Sequence, residues 1–423
     1  MDTANRSSVP ACPLGHDQHA DNVLLREAGA AAPVKLPGEV PAWAIVRHDA
    51  LQAVLSDPRF AKSHEHWAAL GEGRIPAGWP LMTFIVNKGM TTADGDEHRR
   101  LRALVTQAFT PRRVAALRPR IEHLTEDLLD ALAAGEAGAA GSAGAGAAGG
   151  GAAAAGPVDL RARYAYPLPM HVISELLGVP EDRRDELHRL CEILVSSETA
   201  PDDAIANVRA LHAALAEIIE SKRRAPGDDL TSALIEAREE GDRLSEEELV
   251  GTLLLMFLAG HATTLNLICN AVRALLTHPA QLALVAAGRM PWSAVVEETL
   301  RWDSPVGHFP MRYATEDTDV GGTLVRKGEP VLASYAAAGR DPRKYGPDAG
   351  SFDIARGVTR HLSFGFGAHF CLGAGLARME AETALARLFA RFPGIRLAVP
   401  PEALERLPSV VSNGICSLPV LLR

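Results

Sequence analysis

From about residue 95 onward, apolar residues recur every three or four positions, the period of a helix with one buried face. This spacing predicts helices over His98 to Phe109, Val114 to Ala133, Ala206 to Arg224, Leu230 to Glu239, Ser245 to Leu276, Pro291 to Arg301 and Gly373 to Phe392. Pro111 and Pro291 stand where two of them begin, as expected of a residue that has no amide hydrogen to lose at a helix start. Before residue 95 the pattern is weaker. It predicts extended pieces such as Trp43 to Val46, a short helix over Asp49 to Leu55, and a loop-rich stretch from Lys62 to Asp94. Short runs of alternating character mark strands at Pro310 to Ala314, Asp319 to Leu324 and Pro330 to Ala333. Gly321-Gly322 reads as a hairpin turn, and Asn413-Gly414 as the turn of a second hairpin over Val410 to Leu422. The fold class expected is mainly α with small β-sheets.

Residues Ala133 to Gly156 are almost wholly alanine and glycine. Each glycine inside a helix costs about 1 kcal/mol relative to alanine, so a frayed helix end running into a flexible insertion at about 134–156 is expected, without chemistry of its own. Composition narrows the class further. With 47% hydrophobic and 22% charged residues the chain is globular, and its net charge of −9 gives no reason to expect a nucleic-acid partner. The five cysteines, Cys12, Cys191, Cys269, Cys371 and Cys416, are scattered and odd in number, which favours a reducing, cytoplasmic setting. The first residues lack the apolar run of a signal peptide. The longest apolar stretch, Leu249 to Leu276, is broken by polar residues from His261 to Arg273 and reads as a buried core helix instead of a membrane span.

Two places carry chemistry. Leu244 to Leu249 opens the long central helix with a capping box, Ser245 to Glu248, and an apolar staple, Leu244 to Leu249. Further along lies Ala259-Gly260-His261-Ala262-Thr263-Thr264. A mid-helix glycine is costly unless something comes close, and a threonine can bond back to the helix and bend it. The pair predicts a kink with room for a small ligand. The second place is Phe364-Gly365-Phe366-Gly367-Ala368-His369-Phe370-Cys371-Leu372-Gly373, one thiol in a glycine-punctuated turn that opens a helix. Free amides and the helix dipole stabilise a thiolate there. With no second cysteine nearby, a redox pair or zinc knuckle is excluded. The arrangement suits a single thiolate ligand beneath a flat cofactor, where it would push electron density onto a haem iron.

This run, Phe-Gly-x-Gly-x-His-x-Cys-x-Gly, resembles the haem-ligand signature of the cytochrome P450 superfamily, and most closely its soluble bacterial members. The resemblance implies the triangular, mainly helical P450 fold over nearly the whole chain, as one domain of residues 1–423, with haem b (iron protoporphyrin IX) as cofactor and Cys371 as axial ligand. Phe364, Gly365 and Gly373 would shape the thiolate turn. The central helix matches the family's oxygen-binding groove, so Ala259, Gly260 and Thr263 become catalytic candidates, with Thr263 as the alcohol that helps deliver protons. One position departs: the acid that normally precedes this threonine is Ala262. Adjacent helix residues point about 100° apart, so His261 is no ready substitute, and protons are expected to travel through Thr263 and water or a polar group of the substrate.

Other expectations follow from the same resemblance. Glu298 and Arg301 match the buried Glu-x-x-Arg pair and Arg356 its distant partner. His98, Arg102, Arg312 and His369 match haem-propionate ligands. The variable substrate regions map onto Trp67 to Thr91, Arg183 to Arg209, Leu254 to Thr263, Val306 to Phe309 and the turn near Asn413. They nominate Phe84, Val86, Leu258, Val306 and Phe309 as apolar substrate contacts, and Asn87, His308 and Asn413 as orienting polar groups. No flavin or nicotinamide module is fused to the chain. Electrons would therefore come from a ferredoxin and an NAD(P)H-dependent ferredoxin reductase, docking a monomer on a basic face of Arg99, Arg100, Arg112, Arg113 and Arg378. The expected activity is insertion of one oxygen atom from O2 into a hydrophobic small molecule such as a steroid or macrolide. The alternatives are an oxidase that couples or closes rings without oxygen insertion, a peroxide-driven relative disfavoured by the lack of an arginine in the groove, and a catalytically silent haem sensor.

Overall fold

The computed structural model describes residues 18–76, 78–142, 156–195, 200–237, 242–357 and 360–423. Helices dominate, and the periodic segments form where expected: Gly95–Ala108, Pro201–Arg224, Leu230–Glu236, Glu246–Thr277, Trp292–Trp302 and Ala374–Arg391. The predicted helix over Val114 to Ala133 is instead two, Pro111–Ala116 and Arg118–Ser142, parted at Leu117. The second enters the alanine–glycine tract as far as Ser142, and residues 143–155 of that tract lie outside the described residues. Pattern reading passed over Pro167–Leu177, a helix with Pro167 in its first turn, ended by Gly178 in the left-handed conformation at φ 66°. Lys62 to Asp94 is less loop-like than expected, since Ala68–Gly71 and Met82–Val86 are single helical turns.

The central helix, Glu246–Thr277, begins with both halves of the Ser245/Glu248 capping box formed. It is one uninterrupted helix from end to end. It is long and apolar enough to cross a membrane by composition, yet 61% of its most apolar window is buried inside the protein, as in a core helix. It packs against Pro167–Leu177, Ala374–Arg391 and Trp292–Trp302. Those contacts build the largest apolar core, with Leu253, Ile268, Val272, Leu385 and Leu388 almost fully buried.

A five-stranded sheet runs in the order Ala31–Leu36, Val40–Ile45, Pro330–Ser334, His308–Ala314, Phe60–Ala61. Only the pair Val40–Ile45 and Pro330–Ser334 is parallel. A bulge between Phe309 and Arg312 shifts the register of His308–Ala314 against Pro330–Ser334. The Gly321-Gly322 hairpin forms as expected, pairing Thr318–Val320 with Thr323–Val325, both glycines at positive φ. The second predicted hairpin does not form around Asn413-Gly414. The chain reverses between Arg406 and Ile415, which pair with each other, while Pro419–Leu421 joins Val158–Asp159 and Arg396–Leu397 in a separate sheet. Asn413 is drawn inward, donating to Asp303 Oδ1 (2.9 Å) and Ser304 O (2.7 Å). A Cβ on Gly414 would lie 2.3 Å from Asn266 Oδ1, so this glycine serves close packing and not a turn.

Candidate active site at the thiolate turn

The turn around Cys371 is closed by short backbone bonds. The amide of Cys371 donates to Phe364 O (2.8 Å) and that of Gly365 to Leu362 O (2.7 Å). Gly365 and Gly367 stand at φ 75° and 73°, in the left-handed region where a side chain is strained. Cys371 therefore reaches the N-terminus of Ala374–Arg391 with its sulfur beside the amides of Gly373 and Ala374. Burial pushes its thiol up from the ordinary value, while those two amides and the charges of Arg102 and Arg378 pull the other way. The opposing groups are the ones that would stabilise a thiolate. Phe364 lies under the Arg378 guanidinium, 4.5 Å from its ring centre.

Cys371 opens into a cavity walled by the central helix opposite, and by the strands His308–Ala314 and Pro330–Ser334 at one edge. Ala259, Gly260 and Thr263 all line it, as do Val306 and Phe309. Thr263 Oγ1 donates back to Ala259 O at 2.7 Å. This is the expected bond, made without breaking the helix. Gly260 has a reason unlike the one its sequence suggested. A Cβ there would lie 2.8 Å from Ile173 Cδ1 of Pro167–Leu177, so the glycine admits the neighbouring helix as well as facing the cavity. His261 is turned away, edge-on to Tyr166 at 5.2 Å between ring centres.

The cavity is short of negative charge. His98, Arg102, Arg312 and His369 line it together, with the His98 and His369 rings 4.1 Å apart. Arg102 donates to Phe370 O (2.7 Å), and Arg312 to Phe60 O (2.9 Å) and Leu55 O (3.3 Å). Neither has a carboxylate partner among the described residues, and buried His98 Nε2 has no hydrogen-bond partner there. Lys62, which nothing in its sequence setting singled out, joins them. It is buried, donates to Met311 O at 2.8 Å, and is brought down to about 7 by burial and by Arg312, against Asp94. His369 is held down to about 2 by burial and by Arg312, His98, Lys62 and Arg102. Cations and donors gathered around apolar walls without anions are what two buried propionates require. The residues present fit a haem.

Beneath the turn, Glu298 and Arg301 are almost fully buried. The pair is bidentate, Nε to Oε2 at 2.7 Å and Nη2 to Oε1 at 2.6 Å. Arg301 also donates to the carbonyls of Gly339 (2.7 Å), Ala349 (2.8 Å) and Ser351 (2.8 Å). Arg356 Nε comes to 3.5 Å from Glu298 Oε1, completing the expected trio.

Several nominated contacts lie elsewhere. Leu258 does not line the cavity. It sits about 100° round the helix from Ala259 and packs half-buried against the core, as do Leu255 and Met256, which also line the wall. Phe84 packs edge-on to Phe309 behind the wall. Val86 and Asn87 line a separate, open cavity of about 650 Å³ bounded by the central helix's first turns, and Asn87 Nδ2 donates to Gly251 O at 3.1 Å. His308 is buried against Ser334 Oγ (2.8 Å), and burial holds it down to about 4. His308 and Asn413 thus secure the scaffold. The basic docking face is also mostly neutralised, because Arg99 pairs with Asp96, Arg100 with Asp242 and Glu248, Arg113 with Asp228 and Arg378 with Glu297. Tyr335 and Glu380 line the cavity and were missed. Glu380 left a readable sign, an acid at i+4 from Leu376 and i−4 from Ala384 on the buried stripe of its helix.

The family model described as Cytochrome P450 matches residues 197–285 and 289–407. The chain is 41% identical to 2-hydroxy-5-methyl-1-naphthoate 7-hydroxylase of Streptomyces carzinostaticus, over 97% of this chain and 96% of that protein. It is 38% identical to 6-deoxyerythronolide B hydroxylase of Saccharopolyspora erythraea, over 94% of both. The solved structure of CYP154C4 from Streptomyces sp. W2061 superposes with a TM-score of 0.91 at 45% identity, covering 97% of each chain. With this likeness running the length of the chain and the thiolate turn, threonine groove and buried Glu-x-x-Arg pair all formed, the chain belongs to the cytochrome P450 family.

Proposed function

We propose that this monooxygenase uses haem b, held by Cys371 and by His98, Arg102, Arg312 and His369, to hydroxylate a hydrophobic secondary metabolite. The observation that carries this reading is one cavity. It has the Cys371 sulfur at one wall, Thr263 on the helix facing it, and a lining of two arginines without carboxylate partners among the described residues, Arg102 and Arg312, beside the neutral donors His98 and His369. When bound, the haem supplies activation of O2 for insertion of one oxygen atom, with a thiolate ligand that favours O–O cleavage. The protein's own part would be to hold that group and to line the chamber beside it largely with apolar side chains. Val306, Phe309, Leu255 and Met256 form the substrate wall and exclude water from it. Thr263 holds a hydroxyl at the groove. Glu298, Arg301 and Arg356 lock the loop that leads into the thiolate turn.

Relatives that hydroxylate a naphthoate and a deoxyerythronolide support a polycyclic or macrocyclic substrate. We read residues 1–423 as one domain working as a monomer in the cytoplasm, with electrons from a ferredoxin and its NAD(P)H-dependent reductase. The test is product analysis under ¹⁸O₂ with a surrogate ferredoxin and reductase, starting from whichever hydrophobic compound gives an optical shift on binding. One labelled oxygen per product supports the reading. A product lighter by two hydrogens and free of label would establish the coupling oxidase instead. A reduced carbonyl spectrum of histidine-ligated type would refute the thiolate assignment.

A further inference from the structure

Val306 and Phe309 line the cavity from the short segment that follows Trp292–Trp302. That segment is bonded to the turn at 410–413. The amides of Gly307 and His308 donate to Val411 O (2.9 Å) and Val410 O (3.2 Å), and that of Asn413 donates to Pro305 O (2.9 Å). One side chain of the central helix holds both strips of backbone. Asn270, 0% exposed, donates from Nδ2 to Asp303 O (3.1 Å) and to Asn413 O (3.0 Å). Arg273, almost one turn further along, pairs with the Asp303 carboxylate, which Asn413 Nδ2 also reaches at 2.9 Å. Asp303 is fully buried. Burial alone would push its carboxyl up, but Arg273 and His19, whose Nε2 lies 2.9 Å away, hold it well below the usual carboxylate range. Neither Asn270 nor Asp303 lines the cavity.

We propose that Asn270 and Asp303 are positioning residues for the substrate wall, fixing Val306 and Phe309 relative to Thr263 and so selecting which apolar molecules fit between them. The inference rests on the monooxygenase reading and adds to it residues that touch no substrate. Its physical ground is that the groove and the clamp share one helix. Asn270 stands seven residues after Thr263, about 10 Å along a rigid rod that rises ~1.5 Å per residue. The wall has no such rigidity of its own. It is a loop running into a strand whose register shifts between Phe309 and Arg312. Its partner at 410–413 is a loop as well. Two loops bonded to each other keep their mutual spacing, and a bond to the helix fixes where both lie against Thr263. Asn270 makes that bond to a backbone carbonyl of each. Arg273 and Asp303 add a charged link, which is strong where water is absent. A small displacement is enough to matter, because one methylene more or less in an apolar pocket discriminates between ligands by about 10–200-fold.

The test uses the haem-loaded enzyme and two probes that bind the iron and shift its optical spectrum. Imidazole needs little beyond the iron, whereas the second ring of 4-phenylimidazole must also fit the chamber. Asn270→Leu keeps the size of the side chain and removes both of its hydrogen bonds, and Asp303→Asn removes the charge. Each variant is expected to weaken 4-phenylimidazole about tenfold or more while imidazole changes by less than about twofold. Tyr164→Phe is the control, because it removes a buried hydrogen bond elsewhere in the core, to Ala384 O at 2.7 Å. Y164F should unfold at lower urea without moving the ratio of the two affinities. The proposal is overturned if N270L or D303N leaves that ratio within about twofold of wild type, or if Y164F shifts it as far as they do. The titrations read only molecules that hold haem, so partial unfolding does not enter the ratio. Should N270L retain no haem, Asn270→Ser decides by the same ratio. Imidazole is titrated into wild type first. A missing shift there refutes the haem reading itself, and a normal shift with unchanged ratios refutes only the clamp.

Discussion

Replacing Arg301 with leucine removes five hydrogen bonds at once and leaves a shorter, apolar side chain in their place. Two of them go to Glu298 and three to the carbonyls of Gly339, Ala349 and Ser351. Glu298 would retain the amide of Asp353 (2.8 Å) and the more distant Arg356 (3.5 Å). Breaking one side of a buried ion pair typically costs about 3–5 kcal/mol, because the other charge stays buried without compensation. Arg356 keeps the electrostatic part toward the lower end, and three stranded carbonyls add about 1 kcal/mol or more each. The sum approaches the whole stability of an ordinary domain, about 5–15 kcal/mol. Urea unfolding followed by circular dichroism, with haem retention measured on the same samples, should show R301L unfolding at much lower urea and purifying with little haem. The double variant Glu298→Leu/Arg301→Leu should be more stable than R301L alone, since it removes the uncompensated charge and leaves only neutral groups, the three carbonyls and the Asp353 amide, newly unpaired, with Arg356 still held by Asp348. An R301L protein within about 1 kcal/mol of wild type, or a double variant no better than the single, would refute the view that this pair locks the loop beneath the thiolate turn.

Gly260→Ala should cost little, because the Cβ meets only the movable end of Ile173, and overpacking of about 1–3 kcal/mol is partly offset by about 1 kcal/mol of helix preference. Adding Ile173→Val should return the melting temperature to wild type or above it. The rate of reduction by a ferredoxin should change little between low and physiological salt, since four of the five proximal arginines are already paired, and a loss of about tenfold or more would show that exposed charge steers docking after all. Burial pushes Glu297 up, but hydrogen bonds from His361 and Arg378 overcome it and hold the group at about 2, below its ordinary 4.5. A carboxylate depressed in the folded state contributes stability that is present above 4.5 and lost as pH falls toward 2. Glu297→Gln should therefore flatten the acid-unfolding profile in that window, and an unchanged profile would exclude the pairing as a source of acid sensitivity.

The helical segments, the thiolate turn and the Glu298/Arg301 spacing could be read from residue order because each is local, whereas Arg356 and the burial of the pair were expected only from the family resemblance. Gly365 and Gly367 are demanded by backbone sterics wherever the turn occurs, and Ser245 with Glu248 caps a helix whatever packs on it. Tertiary structure decided what depends on which face meets which neighbour. Leu258 and Leu255 are equally apolar and both pack half-buried against the core, but only the tertiary arrangement puts Leu255 and not Leu258 on the cavity wall. Gly260 looked like room for a ligand, and the approach of Ile173 supplied the second reason for it. Asn413-Gly414 has the composition of a turn, and the pull of Asp303 and the press of Asn266 packed it inward instead. The arginines expected to greet an electron donor are mostly spoken for by acids distant in the chain, such as Glu297 and Glu248. Lys62 is an ordinary charge in the sequence and Glu380 an acid on an apolar helix stripe, and burial in one cavity is what makes the first a candidate haem contact and holds the second well above the usual carboxylate range. Local sterics and periodicity are properties of the chain, whereas desolvation and charge pairing exist only once distant segments have met.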